Sequence, residues 1–556
     1  MKKILLTAIN ARYTHSCLAL YCLKSVLGGI DATAMVREFS INLNADEITA
    51  GIAAEKADVI ALSVYIWNSG LVRKLLPVLN KRCGAALLVL GGPEVSYNPA
   101  SWVQDFPFID HIVTGHGEEG FRTLALNDFR SNDRIITVPN PPFSEMPIPY
   151  TDEDLAGLRN RYIYYESGRG CPFQCAYCLS SRSDQKLELK SFDAVRSELD
   201  FILRTGPALV KFVDRTFNAD RPRARTIWRY LLDRYSGGPT AFHFEIHPRY
   251  LGDEDFDLLS ACPRGLFQFE IGVQTTNPAA RSAVRRGGDW GRERSALGRL
   301  IALGTVRSHL DLIAGLPFDD METVARSFNE AYGLGPDHLQ LGFLKLLPGT
   351  EMADTAAEHG MSYSSSAPYQ VMENRWLSGN ELRLLDSIAF LTDRLYNTGR
   401  FRTTLAHLVL RRESPFELFR DLASWQDEKN LPRISRGWES GAGFLAGYAA
   451  ARFSDEKSFF LDAIRWDWCA VSRSPYYPDL IRPAGLAEIR KNGISYFRGL
   501  ADGDVIQYEG IRFSLADLKR SIFFRAESED FRQARMGGQS KALFLPDKNV
   551  LVYDEG

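Results

Sequence analysis

The chain has 556 residues, more than one hydrophobic core normally serves, so about two to four domains are expected. With 45% hydrophobic residues and a formal charge of −3 it reads as an ordinary soluble globular protein, without a strong nucleic-acid signal. Eight cysteines in so long a chain, three of them clustered, argue for a reducing cytoplasm rather than a disulfide framework. No stretch approaches the ~18 apolar residues of a membrane span.

The first twelve residues look like a signal peptide, but Asn10 and Arg12 break the apolar run, which reads better as a buried first strand. Over residues 1–137, strand candidates are Lys3–Ala8, Ala57–Val64, Ala85–Leu90 and His111–Val113. Helical stretches lie around Cys17–Leu27, Gly70–Asn80 and Glu118–Leu126. Short apolar strands separated by helices predict an α/β domain with a doubly wound, Rossmann-like parallel sheet. Ligands sit at the carboxyl ends of such strands, which here means Asn10–His15, Ser63–Asn68, Gly91–Glu94 and Gly115–Glu118. The turn after the first strand, Ala8-Ile-Asn-Ala-Arg, lacks the G-x-G-x-x-G of a nicotinamide site and the acidic residues of a phospho-receiver. Residues 138–150 hold five prolines and read as an extended linker.

From 151 to 375 strands and helices alternate again. Strands are expected at Tyr162–Glu166, Ala208–Val213, Ala241–Ile246, Phe267–Val273, His309–Ala314 and Leu339–Leu346. Six such repeats fit a partial TIM barrel, with its chemistry on loops at the strands' C-terminal ends. The loop after the first strand carries Cys171, Cys175 and Cys178 in C-x3-C-x2-C spacing. Thiolates suit iron–sulfur clusters, whose irons normally take four protein ligands. A four-iron cluster held by three thiolates keeps one iron open for a substrate. A structural zinc site would need a further Cys or His pair, whereas Cys262 and Cys469 are isolated and the histidines scattered.

That spacing, with Tyr177 before the last cysteine, resembles the signature of the radical S-adenosylmethionine (SAM) enzymes. The resemblance implies a [4Fe-4S] cluster whose open iron chelates SAM, and reductive cleavage of SAM to a 5′-deoxyadenosyl radical. Phe212-Val-Asp-Arg-Thr-Phe-Asn, Phe269-Glu-Ile-Gly-Val-Gln-Thr, Asp311-Leu-Ile-Ala-Gly-Leu-Pro and Leu346-Leu-Pro-Gly-Thr-Glu resemble later strand ends of the same family. By that likeness Asp214, Glu245, Glu270 and Gln274 face SAM or substrate, although each carboxylate has an alternative as a cap or salt-bridge partner. The Gly-Gly-Glu-Pro run of many members is replaced by Phe212-Val-Asp-Arg.

Leu90-Gly-Gly-Pro-Glu followed by Thr114-Gly-His-Gly-Glu resembles the cobalamin (B12)-binding domain that precedes many radical SAM domains. This implies cobalamin contacts from Asn10, Thr14, Ser63, Tyr65, Trp67, Asn68, Gly91, Gly92, Pro93, Glu94, Gly115, Gly117 and Glu118. A domain that keeps the fold without the cofactor is the alternative. No histidine has an aspartate two positions before it, as a D-x-H-x-x-G motif requires. Cobalt is therefore expected without a protein imidazole, its lower face near the Tyr65/Trp67 loop or left to water. His15 and His116 are expected to be hydrogen-bonding groups.

The paired resemblance implies a cobalamin-dependent radical SAM methyltransferase acting on an unactivated carbon through methylcobalamin, with flavodoxin or ferredoxin as reductant. Alternatives are a cobalamin-assisted oxidoreductase or cyclase, or a non-catalytic cobalamin sensor. A methylthiolating tRNA enzyme would need a second cluster, and Cys17, Cys22 and Cys83 lack its spacing. Residues 376–556 read as a mostly helical domain of unassigned role. It opens on a capping box, Ser378-Gly-Asn-Glu381, followed by Leu384, Ile388, Leu391 and Leu395 at helical spacing. Strands are expected near Val505–Phe513 and Ala542–Val552, and the Trp466-Asp-Trp-Cys-Ala aromatics are expected in a core.

Overall fold

The computed structural model describes residues 2–181, 186–235 and 237–554. It divides into two compact units, residues 1–336 with 341–382, and residues 337–340 with 383–556.

The first unit begins with a six-stranded parallel sheet. Its elements run β1 (Lys2–Asn10), α1 (Leu18–Ser25), β2 (Ala32–Ser40), α2 (Ala45–Ala54), β3 (Val59–Ser63), α3 (Ser69–Arg82) and β4 (Leu87–Gly91). The short helices α4 (Pro93–Ser96) and α5 (Pro99–Asp105) precede β5 (His111–Val113), α6 (Glu118–Leu126) and β6 (Ile135–Ile136). The strand order is β2-β1-β3-β4-β5-β6. Successive side chains of a strand point to opposite faces, and helices cover both. Leu5, Ile9, Ile60 and Leu62 join one core with residues of α2, α3 and α5. Ile4, Leu6, Ala8, Val59 and Ala61 join the other, with residues of α1 and α6. The order reverses between β1 and β3, so their carboxyl ends, Asn10 and Ser63, flank the switch-point crevice where such sheets bind ligands.

The proline-rich segment contains only a single 3-10 turn, Phe143–Glu145, and leads to α7 (Asp152–Gly157). The second sheet starts with β7 (Ile163–Tyr165). After a small hairpin, β8 (Gly168–Arg169) with β9 (Glu188–Leu189), come α8 (Phe192–Leu203), β10 (Leu209–Phe212), α9 (Arg221–Tyr235) and β11 (Ala241–Glu245). Then follow α10 (Asp253–Ser260), β12 (Phe267–Gln274), α11 (Pro278–Ala283), α12 (Trp290–Ala302), β13 (Arg307–Ala314), α13 (Met321–Gly333) and β14 (His338–Phe343). The order β14-β13-β12-β11-β10-β7 is that of a partial barrel. Phe267, Phe269, Ile271 and Val273 of β12 are buried under the helices, while Gln268, Glu270, Gly272 and Gln274 alternate onto the inner face.

The capping box forms as expected: the Ser378 backbone N–H donates to Glu381 Oε2 at 2.8 Å, and the Glu381 N–H to Ser378 Oγ at 3.4 Å. In the second unit, helices Arg402–Val409, Pro415–Glu428, Trp438–Arg452 and Lys457–Val471 are followed by two three-stranded antiparallel sheets. Trp466 is a core residue there, packed against Phe524 and Phe544. Among the described residues no helix is long and apolar enough to cross a membrane.

Candidate active site

The cysteine loop leaves the carboxyl end of β7 and is fixed by backbone contacts. Ala176 N–H donates to the Val284 carbonyl at 3.0 Å, Met352 N–H to the Ala176 carbonyl at 2.9 Å, and Cys178 N–H to the Cys175 carbonyl at 3.0 Å. Gly170 has φ +87°, and a Cβ there would lie 2.4 Å from the Lys186 carbonyl oxygen, so the turn admits only glycine. Cys171 Sγ lies 3.5 Å from Thr216 Oγ1. Cys175 is buried, and the Arg286 guanidinium donates to its Sγ at 3.8 Å. Burial pushes the Cys171 thiol up, and the charges of Cys178 and Cys175 push the same way. Phe173 stacks on His247 at 4.5 Å. Burial and then the neighbouring Arg286 and Arg249 hold that imidazole neutral, down to about 2. The Tyr177 hydroxyl is buried with no hydrogen-bond partner among the described residues.

Arg286 is itself held in place. Arg281 is buried and donates to both oxygens of buried Glu293 at 2.9 Å and to the Gly287 carbonyl at 2.7 Å. The backbone N–H of Arg286 donates to the Arg281 carbonyl at 2.8 Å. The clamp aims a fixed positive charge at the thiol loop.

The predicted carboxylates occupy different settings. Asp214 is buried and accepts from Ser167 N–H at 2.9 Å and Ser167 Oγ at 2.6 Å, so it braces the root of the cysteine loop. Burial pushes its carboxyl up to about 6. Glu245 lies 3.8 Å from the Arg215 guanidinium, and burial raises it to about 7. Burial also opposes ionisation of Glu270, but the hydrogen bond from His243 at 3.1 Å and the charge of His309 outweigh it and hold Glu270 at about 2. Gln274 ends β12 at φ +69°, beyond a register shift, and its Oε1 is buried without a partner among the described residues. A buried polar atom without a protein partner fits a polar ligand.

At the edge of the first sheet, Asn68 is fully buried and donates to the Ile9 and Ser63 carbonyls, both at 3.1 Å, while its Oδ1 accepts from Tyr65 N–H at 2.8 Å. This fixes the loop that stacks Trp67 on Tyr65 at 4.4 Å and 8°. The Trp67 indole donates to the Ile9 carbonyl, yet the residue stays 46% exposed. Asn10 donates to the His15 carbonyl at 3.0 Å and to Glu38 at 3.1 Å. The Thr14 carbonyl accepts from Tyr162 N–H at 2.8 Å, and Cys17 Sγ lies 3.9 Å from buried Ser63 Oγ. Glu94 accepts from Ser69 at 2.9 Å and from Tyr369 at 2.5 Å. Glu118 accepts from Arg169 and from Asn140, each at 2.8 Å. Gly92 has φ +103°, and a Cβ there would meet the Val64 carbonyl oxygen at 2.6 Å. Gly115 and Gly117 also have positive φ, and nothing lies within 4 Å of a Cβ built on Gly115. The internal polar groups are therefore satisfied, while Trp67 and the glycine turns beside Gly91 and Pro93 form an open rim. An exposed aromatic plate beside bare backbone fits a flat ligand.

The sheet edge and the barrel belong to one compact unit and are tied together. Arg169, two residues before Cys171, joins Glu118 at the start of α6 to Glu166 at 2.8 and 2.7 Å. His15 Nδ1 meets the Tyr164 hydroxyl at 2.5 Å, in line with its expected hydrogen-bonding role. Arg169, Ser167, Arg286 and the inward residues His243 and His309 did not stand out in the sequence, and Asp311 stood out only as the head of a strand-end motif. The period-2 alternation of the barrel strands is the signal that would have found the last three.

A doubly wound sheet with an open ligand edge, packed in one unit with a partial barrel that carries a three-thiol loop, defines a two-cofactor α/β architecture. The comparisons agree. Residues 5–125 match the B12 binding domain, residues 165–331 the radical SAM superfamily, and residues 357–511 a "Protein of unknown function (DUF4080)". The chain thus pairs a B12-binding domain with a radical SAM domain. It is 26% identical over 327 residues to a 2-(S-pantetheinyl)-carbapenam-3-carboxylate methyltransferase of Streptantibioticus cattleyicolor, covering 52% of this chain and 46% of that protein. The chain thus spans about half the length of the curated relatives it matches. In fold it resembles the cobalamin-dependent SAM radical enzyme OxsB, with TM-score 0.58, 14% identity, and 84% of this chain and 79% of that one covered. It also resembles the radical SAM methyltransferase TsrM from Kitasatospora setae, with TM-score 0.55, 17% identity, and 68% and 80% covered.

Proposed function

We propose that the protein is a cobalamin-dependent radical SAM methyltransferase acting on an unactivated carbon. The observation that carries this reading is the junction of the three-cysteine loop with the open edge of the first sheet, bridged by Arg169 within one compact unit. The names of its carbapenam relative and of TsrM support methyl transfer. Cys171, Cys175 and Cys178 would hold a [4Fe-4S] cluster. Gln274 and Glu245 would face SAM, and Arg286 could hold its carboxylate by a charge-assisted pair. Asp214 would act one step back, by keeping the loop's root in place. The rim from Asn10, Thr14, Ser63, Tyr65, Trp67 and Asn68 to Gly91–Glu94, Gly115, Gly117 and Glu118 would take cobalamin. When bound, the cluster and SAM supply a 5′-deoxyadenosyl radical and the corrin carries the methyl group. The chain's own part is to orient these groups and keep water out.

A low-potential one-electron donor such as flavodoxin or ferredoxin is the proposed reductant. The proposed setting is the cytoplasm, because the three thiols must stay reduced. The test is anaerobic reconstitution with iron and sulfide, reduction, and assay of SAM cleavage. Formation of 5′-deoxyadenosine that is lost in Cys175→Ala supports the reading, and a reduced, cluster-loaded protein that leaves SAM intact overturns it.

A further inference from the structure

A second group of metal-ligating side chains lies inside the barrel, on strands that do not carry the cysteines. His243 of β11, Glu270 of β12, and His309 and Asp311 of β13 come from three neighbouring parallel strands. Glu270 and His309 are register partners, so their backbones lie about 4.8 Å apart. Asp311 follows His309 by two residues and therefore shares its face. His243 Nε2 lies 3.1 Å from Glu270 Oε2, and His309 Nε2 lies 3.0 Å from Asp311 Oδ1. One donor atom from each of Glu270, His309 and Asp311 lies within 4.8 Å of the other two.

Two imidazoles and two carboxylates in so confined a space need a balancing cation, because carboxylates withdrawn from water are costly unless paired. Lys211 of neighbouring β10 supplies one charge, and its field reaches both Glu270 and His309. A metal ion balances the remaining carboxylate and draws both imidazoles onto one centre. We propose that His243, Glu270, His309 and Asp311 form a binding site for a divalent cation of the zinc class, separate from the cysteine loop. Mixed imidazole and carboxylate donors suit zinc among the divalent ions. On this reading Glu270 serves the metal rather than SAM, and the inference stands whether or not methyl transfer is the reaction.

The test uses the full-length protein with its iron–sulfur cluster assembled anaerobically, treated with a chelator, exposed to Zn²⁺ alone and desalted. Metal analysis is expected to find about one zinc per chain, and a ten-fold loss or more in the His309→Ala/Asp311→Asn variant. The Cys171→Ala/Cys175→Ala/Cys178→Ala variant should keep its zinc. X-ray absorption at the zinc edge of the wild type should show only nitrogen and oxygen ligands near ~2.0–2.1 Å, which guards against a variant that fails to fold. No retained zinc, zinc lost with the cysteines but kept without His309 and Asp311, or a sulfur shell near ~2.3 Å would each overturn the proposal.

Discussion

Replacing Arg169 with methionine tests the junction between the two cofactor sites. The Arg169 side chain is 13% exposed, and it pairs with Glu118, which is 4% exposed, and with Glu166, which is 21% exposed. Among the described residues, Arg169→Met leaves Glu118 with Asn140 as its remaining side-chain hydrogen bond and without its ion-pair partner. Removing one partner of a buried pair costs about 3–5 kcal/mol, far above the 0–1 kcal/mol of an exposed one. Against a total stability of about 5–15 kcal/mol this is a large fraction. Neutralising the stranded group in Arg169→Met/Glu118→Gln should recover part of the loss, with a coupling energy of about 1–3 kcal/mol. Urea unfolding of wild type, both single variants and the double variant, followed by circular dichroism, closes the cycle. A loss below about 1 kcal/mol in Arg169→Met, or strict additivity in the double variant, would refute the view that this pair is buried and load-sharing.

Three further outcomes follow from individual residues. Cys175→Ala should abolish the brown absorbance and lower reconstituted iron from about four per chain to near none, because two thiolates cannot hold the cluster; retention of full iron content would count against the ligand assignment. Gly92→Ala combines a disfavoured φ of +103° with a 2.6 Å approach to the Val64 carbonyl, so it should lose about 2–5 kcal/mol and weaken hydroxocobalamin retention, whereas an unchanged urea midpoint would contradict the packing. Asp214 sits at about 6 instead of 3.8, so its contribution to stability is fully present below pH 3.8 and is lost as the pH rises through 6. Asp214→Asn removes that titration, and relative to wild type it should gain about 3 kcal/mol between pH 3 and pH 7; parallel pH profiles would show that the carboxyl is not destabilised by burial.

The strands were legible where both faces are covered. Val59–Ser63 and Leu87–Gly91 are continuous apolar runs, and their ends fell within two residues of the expected ones. β2 escaped because it is an edge strand interrupted by Arg37 and Glu38, and β6 because it is only two residues long. The cysteine loop was legible because its chemistry depends on local spacing alone. Arg286, Ser167, His243 and His309 were not, since each acquires its role from strands or loops distant in the chain. Asp214 illustrates the same gap: its motif was visible, but the two bonds from Ser167 that occupy it are a product of the fold.

The central claim is methyl transfer by way of the corrin, and the most direct measurement follows the methyl group itself. The reconstituted, reduced protein is loaded with cobalamin and given methyl-deuterated SAM, and the protein-bound corrin and released nucleosides are analysed by mass spectrometry. The account predicts a trideuteromethyl group on the corrin with an equal amount of S-adenosylhomocysteine. If 5′-deoxyadenosine forms while no label reaches the corrin and no S-adenosylhomocysteine appears, the methyltransferase reading is contradicted and radical oxidation or cyclisation takes its place.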